Sequence, residues 1–312
     1  MCVFHPKSLR KSFALEYHFD MSDLMVTAST LKENYWPLIK SRQTLLLTLT
    51  GVAGYLCQPP SPTPWWHFSG MIASLLISIT GCTVLNMLFD RDIDQKMTRT
   101  NKRPLATGQV SPRSAGLLGV GLMALGLLWA LIISIPYFLV ILTGAGFNVL
   151  VYTLLLKRRS AWSIVFGGIA GGMPILAGRT LAIGHLDSLG LVLALVVLCW
   201  IPSHNLTLST LYSSDYLDAA VPTFPNVYGL HATHLAITLS SMFAASAMIF
   251  TWLLLDSNIF LLGIVVISSL GLLAIVLFPG SKPSRKIVTI QYKYSSVYML
   301  LSMIWLIING AL

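Results

Sequence analysis

Long apolar stretches alternate with short clusters of charge along this chain, and the charge-free runs predict its elements. Between Arg42 and Asp90 lie 47 residues without Asp, Glu, Lys or Arg. A Pro-rich segment from Pro59 to Pro64 breaks that run into two helices. Between Arg113 and Lys157 lie 43 more, punctuated at Ser134, Ile135 and Pro136, again two helices. The runs Ser160–Gly178, Ser188–Ser214, Ala219–Asp256, Ser257–Ser281 and Tyr294–Leu312 each hold about one span of roughly 20 residues, the length that crosses a bilayer core. The pattern predicts an all-α, polytopic membrane protein with nine transmembrane helices. Residues 1–40 form a polar N-terminal segment, and residues 41–312 form the helical domain. The first 40 residues have no continuous apolar core and no small-residue cleavage site, so a cleaved signal peptide is not expected.

Composition agrees with that reading. Of 312 residues, 55% are hydrophobic and only 10% charged, well short of the roughly 25% charged residues of a soluble domain. A soluble enzyme, a disordered chain and a nucleic-acid-binding domain are excluded, despite a net charge of +9. Placement explains the charge. With the N-terminus inside, 19 of the 20 Lys and Arg fall in inner segments, and only Arg179 falls near the outer face. The basic surplus therefore reflects topology, attraction to anionic lipid and an anionic substrate, with no nucleic-acid partner. On this reading the N-terminus and the functional face lie on the cytoplasmic side of a cell inner membrane, or the matrix side in an organelle. Cys2, Cys57, Cys82 and Cys199 show no metal or redox spacing, and the three in apolar stretches read as small core hydrophobes.

Chemistry concentrates at two acidic stations. Asn86, Asp90 and Asp94 are spaced i, i+4, i+8 at the inner end of the second helix, so all three can face one cavity. Acidic side chains at a membrane boundary mark function by default, and oxygen ligands at this spacing suit Mg²⁺. The alternative is a solvated helix end pairing with Arg91, Lys96 and Arg99. Asp215 and Asp218 form the second station, i, i+3, in an inner loop without Lys or Arg. An ordinary polar loop is its alternative. Two such stations on one side suit metal ions bridging a diphosphate, whose oxygens would be met by Arg99, Lys102, Arg103, Lys157, Arg158 and Arg159. Trp65 and Trp66 read as an interfacial belt, Gly167, Gly168, Gly171 and Gly172 as helix packing, and His231 and His234 as helix-end residues.

The run from Asn86 through Asp90 and Asp94 to Met97, Arg99, Thr100, Arg103, Pro104, Leu105 and Gly108 resembles the signature of UbiA-type intramembrane prenyltransferases. The segment Asp90 to Asp94 with Met97, Arg99 and Thr100 is most similar to the haem O synthase (protoheme IX farnesyltransferase) branch. Tyr152, Lys157–Arg159, the glycine run to Gly178, His204, and the stretch from Asp215 to Gly229 agree with it. The resemblance implies transfer of a prenyl group, farnesyl in that branch, from a prenyl diphosphate to haem B. The alternative is a quinone-type or other aromatic acceptor. Mg²⁺ would be held by Asn86, Asp90, Asp94, Asp215 and Asp218. Arg99, Lys102, Arg103 and Lys157 would bind diphosphate, while Phe89, Tyr152, Tyr212 and Tyr216 would face the allylic cation. His204 would contact the acceptor, and an enzyme of haem A synthesis would act downstream. Three departures from the branch stand out: Tyr212 and Ser214 where basic residues are typical, an acid at 218, and Arg179 where an aromatic is usual. The pattern Tyr212-x-x-Asp215-x-x-Asp218 resembles the quinone-type second motif instead. A carrier for an anionic solute would place its ionisable residues near the bilayer midplane, whereas these cluster at the inner helix ends.

Overall fold

The computed structural model describes residues 34–58, 64–278, 280 and 284–312. The polar N-terminal segment up to residue 33, Cys2, most of the Pro59–Pro64 break and Lys282 lie outside the described residues. Among the described residues the regular structure is helical throughout. In chain order the helices are α1 (Ser41–Leu56), α2 (Trp65–Phe89), the short α3 (Arg91–Lys96), α4 (Pro112–Ile133) and α5 (Ile135–Gly146), which continues as a π-helix over Phe147–Leu156. After these come α6 (Ser163–Ile183), α7 (Ser188–Leu211), the short α8 (Ser213–Asp218), α9 (Phe224–Leu254), α10 (Ile259–Leu277) and α11 (Arg285–Ala311).

Eight of these elements are long and apolar enough to span a membrane: α2, α4, α5 with its π extension, α6, α7, α9, α10 and α11. The ninth expected span is α1, whose 16 residues rise only about 24 Å. It begins late because Lys40, with φ 47° and ψ 52°, ends the preceding 3-10 turn Trp36–Ile39 in the left-handed region. Local chemistry explains the other boundaries. Ser134 is extended, with φ −166°, and Pro136 opens α5 one residue later, as the Ser134–Pro136 punctuation predicts. Gly229, with φ 79° and ψ 172°, breaks α9 near its start, so the long run from Ala219 contains a short inner turn and one span.

Small residues bring the helices together. A Cβ on Gly178 of α6 would sit 1.9 Å from the Gly51 carbonyl oxygen of α1, so only glycine permits this approach. The glycine run in α6 packs the same way: a Cβ at Gly171 would meet Ile201 of α7 at 2.3 Å, and one at Gly167 would meet the Tyr152 ring at 2.5 Å. Around this centre lies a core including Ala53, Ile175, Leu193, Met303 and Trp305. Leu117, Ile132, Phe243 and Ile267 point outward and are exposed, the lipid-facing surface of an integral, multi-pass membrane protein. Arg179, the cation that the sequence sets near the outer face, is buried and donates from Nε and Nη2 to Asp187 at 3.1 and 2.8 Å. Asp187 also caps α7 by accepting from the Gly190 N–H at 2.8 Å. The departure at 179 is thus a paired charge closing the end opposite the acidic stations.

Candidate active site

The helical register of the first station survives the break between α2 and α3. Asp90 is the C-cap of α2, yet its N–H reaches the Asn86 carbonyl at 3.0 Å, and the Asp94 N–H reaches the Asp90 carbonyl at 2.8 Å. One turn therefore stacks on the next, and the three side chains share a side. Asp90 and Asp94 are 2% and 4% exposed, far less than ordinary carboxylates tolerate without compensation.

Cations from three other segments supply that compensation. Lys157, just past the π-helix, places Nζ 2.5 Å from Asp90 Oδ2. Arg103 Nη1 donates to both oxygens of Asp94, at 2.9 and 2.7 Å. Lys40 Nζ donates to Asn86 Oδ1 at 2.8 Å, and Asn86 Nδ2 donates to Thr153 Oγ1 on the π-helix at 3.0 Å. Two buried carboxylates thus face three cations, a local surplus of positive charge. Lys40 registers it. Burial first, then the nearby Arg103 and Lys157 charges, push its ammonium down to about 7, with Asp90 and Asp94 only partly opposing them.

One atom in this cage is unsatisfied. Asp90 Oδ1 is buried without a hydrogen-bond partner. A bare carboxylate oxygen beside the Asn86 amide and the Asp94 carboxylate is a hard donor set, and it fits Mg²⁺. Among the described residues no three His, Cys, Asp or Glu side chains gather into a cluster of their own.

The second station is built differently. Asp215, in the first turn of α8, is 8% exposed, and its Oδ2 accepts from Thr98 Oγ1 at 2.7 Å and from the Arg99 N–H at 3.4 Å. The loop after α3 therefore ties the two stations together. Asp218 is exposed at the end of α8. Lys157 lies over the Tyr152 ring at 5.8 Å, so Tyr152 borders the basic cage, while the exposed Arg99 lies over the Tyr212 ring at 5.3 Å. Tyr216 packs on Ile93 and Met97, while Phe89 and Lys102 are exposed.

His204 lies elsewhere. It is sandwiched between Trp200, 4.8 Å away and tilted 21°, and Tyr292 of α11, 4.5 Å away and tilted 27°, with Ser296 Oγ 3.4 Å from its Nδ1. Those contacts join α7 to α11 and touch neither station. A small cavity of about 60 Å³ lies between α1, α2, α5 and α6. It is lined by Leu75, Ile79, Cys82 and Thr83 of α2 among others. It begins one turn before Asn86 and runs into the bilayer region, with the unpartnered Ser78 Oγ and Asn148 Oδ1 on its wall.

Residue spacing did not single out Lys40, Thr98 or Thr153. Lys40 counts in the sequence only as a topological charge, and its signal is structural: a non-glycine residue in the left-handed region. Thr98 and Thr153 are ordinary residues whose partners are 117 and 67 positions away. The π-helix that carries Thr153 is itself a feature often found at functional sites.

Comparison with known proteins places the chain. Residues 45–297 match the UbiA prenyltransferase family. Curated relatives named protoheme IX farnesyltransferase include one from Thermofilum pendens, 43% identical over 62% of this chain and 69% of its own length. Another, from Archaeoglobus fulgidus, is 38% identical over 67% and 72%. A third, from Teredinibacter turnerae, is 31% identical over 90% and 91%. Among solved structures, a digeranylgeranylglyceryl phosphate synthase superposes with a TM-score of 0.75 at 19% identity, covering 90% of this chain and 99% of that one. A UbiA homolog from Archaeoglobus fulgidus bound to DMAPP and Mg²⁺ superposes with a TM-score of 0.66 at 17% identity, over 88% and 99%. These structural likenesses bear on the fold.

Proposed function

This chain belongs to the UbiA prenyltransferase family and is a membrane prenyltransferase, and we propose that it transfers a farnesyl group from farnesyl diphosphate to haem B, giving haem O, with Mg²⁺ as cofactor. One observation carries the proposal: the bare, buried Asp90 Oδ1 sits inside a surplus of cations formed by Lys40, Arg103 and Lys157. An unsatisfied carboxylate asks for a cation, and surplus ammonium and guanidinium groups ask for an anion. A metal–diphosphate pair answers both.

Asn86, Asp90, Asp94 and Asp215 would hold Mg²⁺, with Asp218 beside them at the rim. Bound there, the metal would neutralise charge on the diphosphate and make it a better leaving group. Arg103 presents forked donors and Lys157 and Lys40 point charges to the diphosphate oxygens, with Arg99 and Lys102 at the exposed edge. These groups are set before the reaction, so they stabilise the charge developing on the leaving group without reorganising. Tyr152 and Tyr212 turn electron-rich faces toward the cationic side of the site, where an allylic carbon would become positive as its C–O bond breaks. The mostly apolar residues lining the neighbouring small cavity would part to take the prenyl chain and keep water from it. The terminal carbon of a haem vinyl group would then bond to the farnesyl carbon that diphosphate has left, and the cation this creates on the adjacent carbon would take up a water molecule and release a proton, giving the hydroxyl of haem O. The downstream step belongs to an enzyme of haem A synthesis.

The nine-span reading is kept by counting α1 as the ninth crossing. The basic end faces the cytoplasm across a cell inner membrane, or the matrix in an organelle, with residues 1–40 on that side. A quinone-type acceptor is favoured by one feature, the Tyr212-x-x-Asp215-x-x-Asp218 pattern. Labelled farnesyl diphosphate supplied with haem B, and separately with a quinone precursor, decides between them. Label should enter haem B. Label entering only the quinone precursor overturns the haem reading.

A further inference from the structure

We propose that Arg158 and Asp92 form a positioning clamp that holds Lys157 in register on Asp90, an inference that rests on the role given above to Asp90 and Lys157. Asp92 stands inside the acidic run, yet it is two residues from both Asp90 and Asp94. On a helix that is about 200° round the axis, so it cannot share their side. It is exposed, and its two oxygens take both arms of Arg158: Nη1 to Oδ2 at 2.7 Å and Nη2 to Oδ1 at 2.6 Å.

The third bond of the guanidinium gives the pair its purpose. Arg158 Nη2 also donates to the Phe89 carbonyl at 2.6 Å. Phe89 is the last residue of α2, where carbonyls have lost their helical partners and a cation is favoured. Two adjacent side chains on one turn thus grip one four-residue stretch. Arg158 holds its two ends, Phe89 and Asp92, and Lys157 reaches the carboxylate between them. That turn is itself closed by Lys157 N–H to the Tyr152 carbonyl and Arg159 N–H to the Leu156 carbonyl, each at 2.9 Å. Lysine is a point charge on a flexible stem and does not by itself choose one carboxylate oxygen. Gripped from both sides, Nζ stays on Oδ2 and leaves Oδ1 bare.

An exposed ion pair contributes little to stability, so the clamp should matter to turnover and not to folding. Its test uses the full chain in lipid nanodiscs with farnesyl diphosphate, haem B and a Mg²⁺ titration. Arg158→Ala should lower kcat about tenfold, the scale of loss expected when a charged group is misplaced by a fraction of an ångström. It should raise the Mg²⁺ concentration for half-maximal rate, with the thermal midpoint unmoved. Asp92→Asn should do the same more weakly, and the swap D92R with R158D should recover part of the loss. Wild-type kcat and Mg²⁺ dependence in Arg158→Ala, with Asp90→Asn inactive, overturns the clamp and leaves the active-site reading intact. A loss of kcat matched by a loss of thermal stability, or a swap with no recovery, overturns it equally. An active Asp90→Asn enzyme removes the site reading and the clamp with it.

Discussion

The two acidic stations use one residue type at similar helical spacings, and the protein treats them in opposite ways. At the first, Asp90 and Asp94 are almost fully buried and each is met by a cation, Lys157 from a distant segment and Arg103 from the loop that follows. At the second, Asp215 is buried but held by a hydroxyl and a backbone N–H, while Asp218 faces outward. A buried carboxylate paired with Lys or Arg is expensive to assemble and is strongly disturbed when a partner goes. A carboxylate at the rim is screened and replaceable. Spacing proposes candidates; burial and partners rank them.

That ranking sets the order of expected effects. Asp90→Asn keeps the shape but removes the charge that faces Lys157 and the bare oxygen. It should cost on the order of 10³-fold in kcat, measured by label transfer from farnesyl diphosphate, as loss of a preorganised electrostatic group does. Asp215→Ala removes the acceptor that ties the 97–99 loop to α8, and a loss of about 10²-fold is expected by the same measure. Equal losses at the two positions would erase the distinction between the stations.

Smaller effects sharpen it. With the Lys40 ammonium near 7, its charge is complete below that pH and fades above it. Binding an anion favours the charged form, so affinity for farnesyl diphosphate should weaken a few-fold between pH 6 and 8. Lys40→Met should flatten that dependence, and a steep profile surviving in this variant would assign it to another group. Asp218→Ala should change turnover by less than about twofold, as exposed charges usually do. A loss matching that of Asp215→Ala would bring Asp218 into the metal site and favour the quinone-type pattern.

Much of the fold is legible in the charge-free runs, because a bilayer core tolerates neither charge nor unpaired backbone groups. Ser134, Pro136 and Gly229 act where their backbone preferences say they should. The short α1 is less legible, since the left-handed turn at Lys40 that delays it is a tertiary choice. At the site, Asn86, Asp90, Asp94 and Asp215 can be found from their spacing. Not all their partners can, because Lys40 and Thr153 reach Asn86 across 46 and 67 residues of chain. In the sequence Lys40 looks like any other charge at the basic end of a membrane protein. His204 shows the converse: a conspicuous residue in the sequence that the fold places in an aromatic stack between α7 and α11.

On the function proposed above, the first station seats a metal–diphosphate pair on Asp90. Farnesyl diphosphate binding to the purified protein, titrated with Mg²⁺ and again with the metal chelated, tests it most directly. Wild type and Asp218→Ala should both bind more tightly with Mg²⁺, and Asp90→Asn should lose that gain while remaining folded. An Asp90→Asn protein that keeps the full Mg²⁺-dependent gain in affinity would contradict the claim.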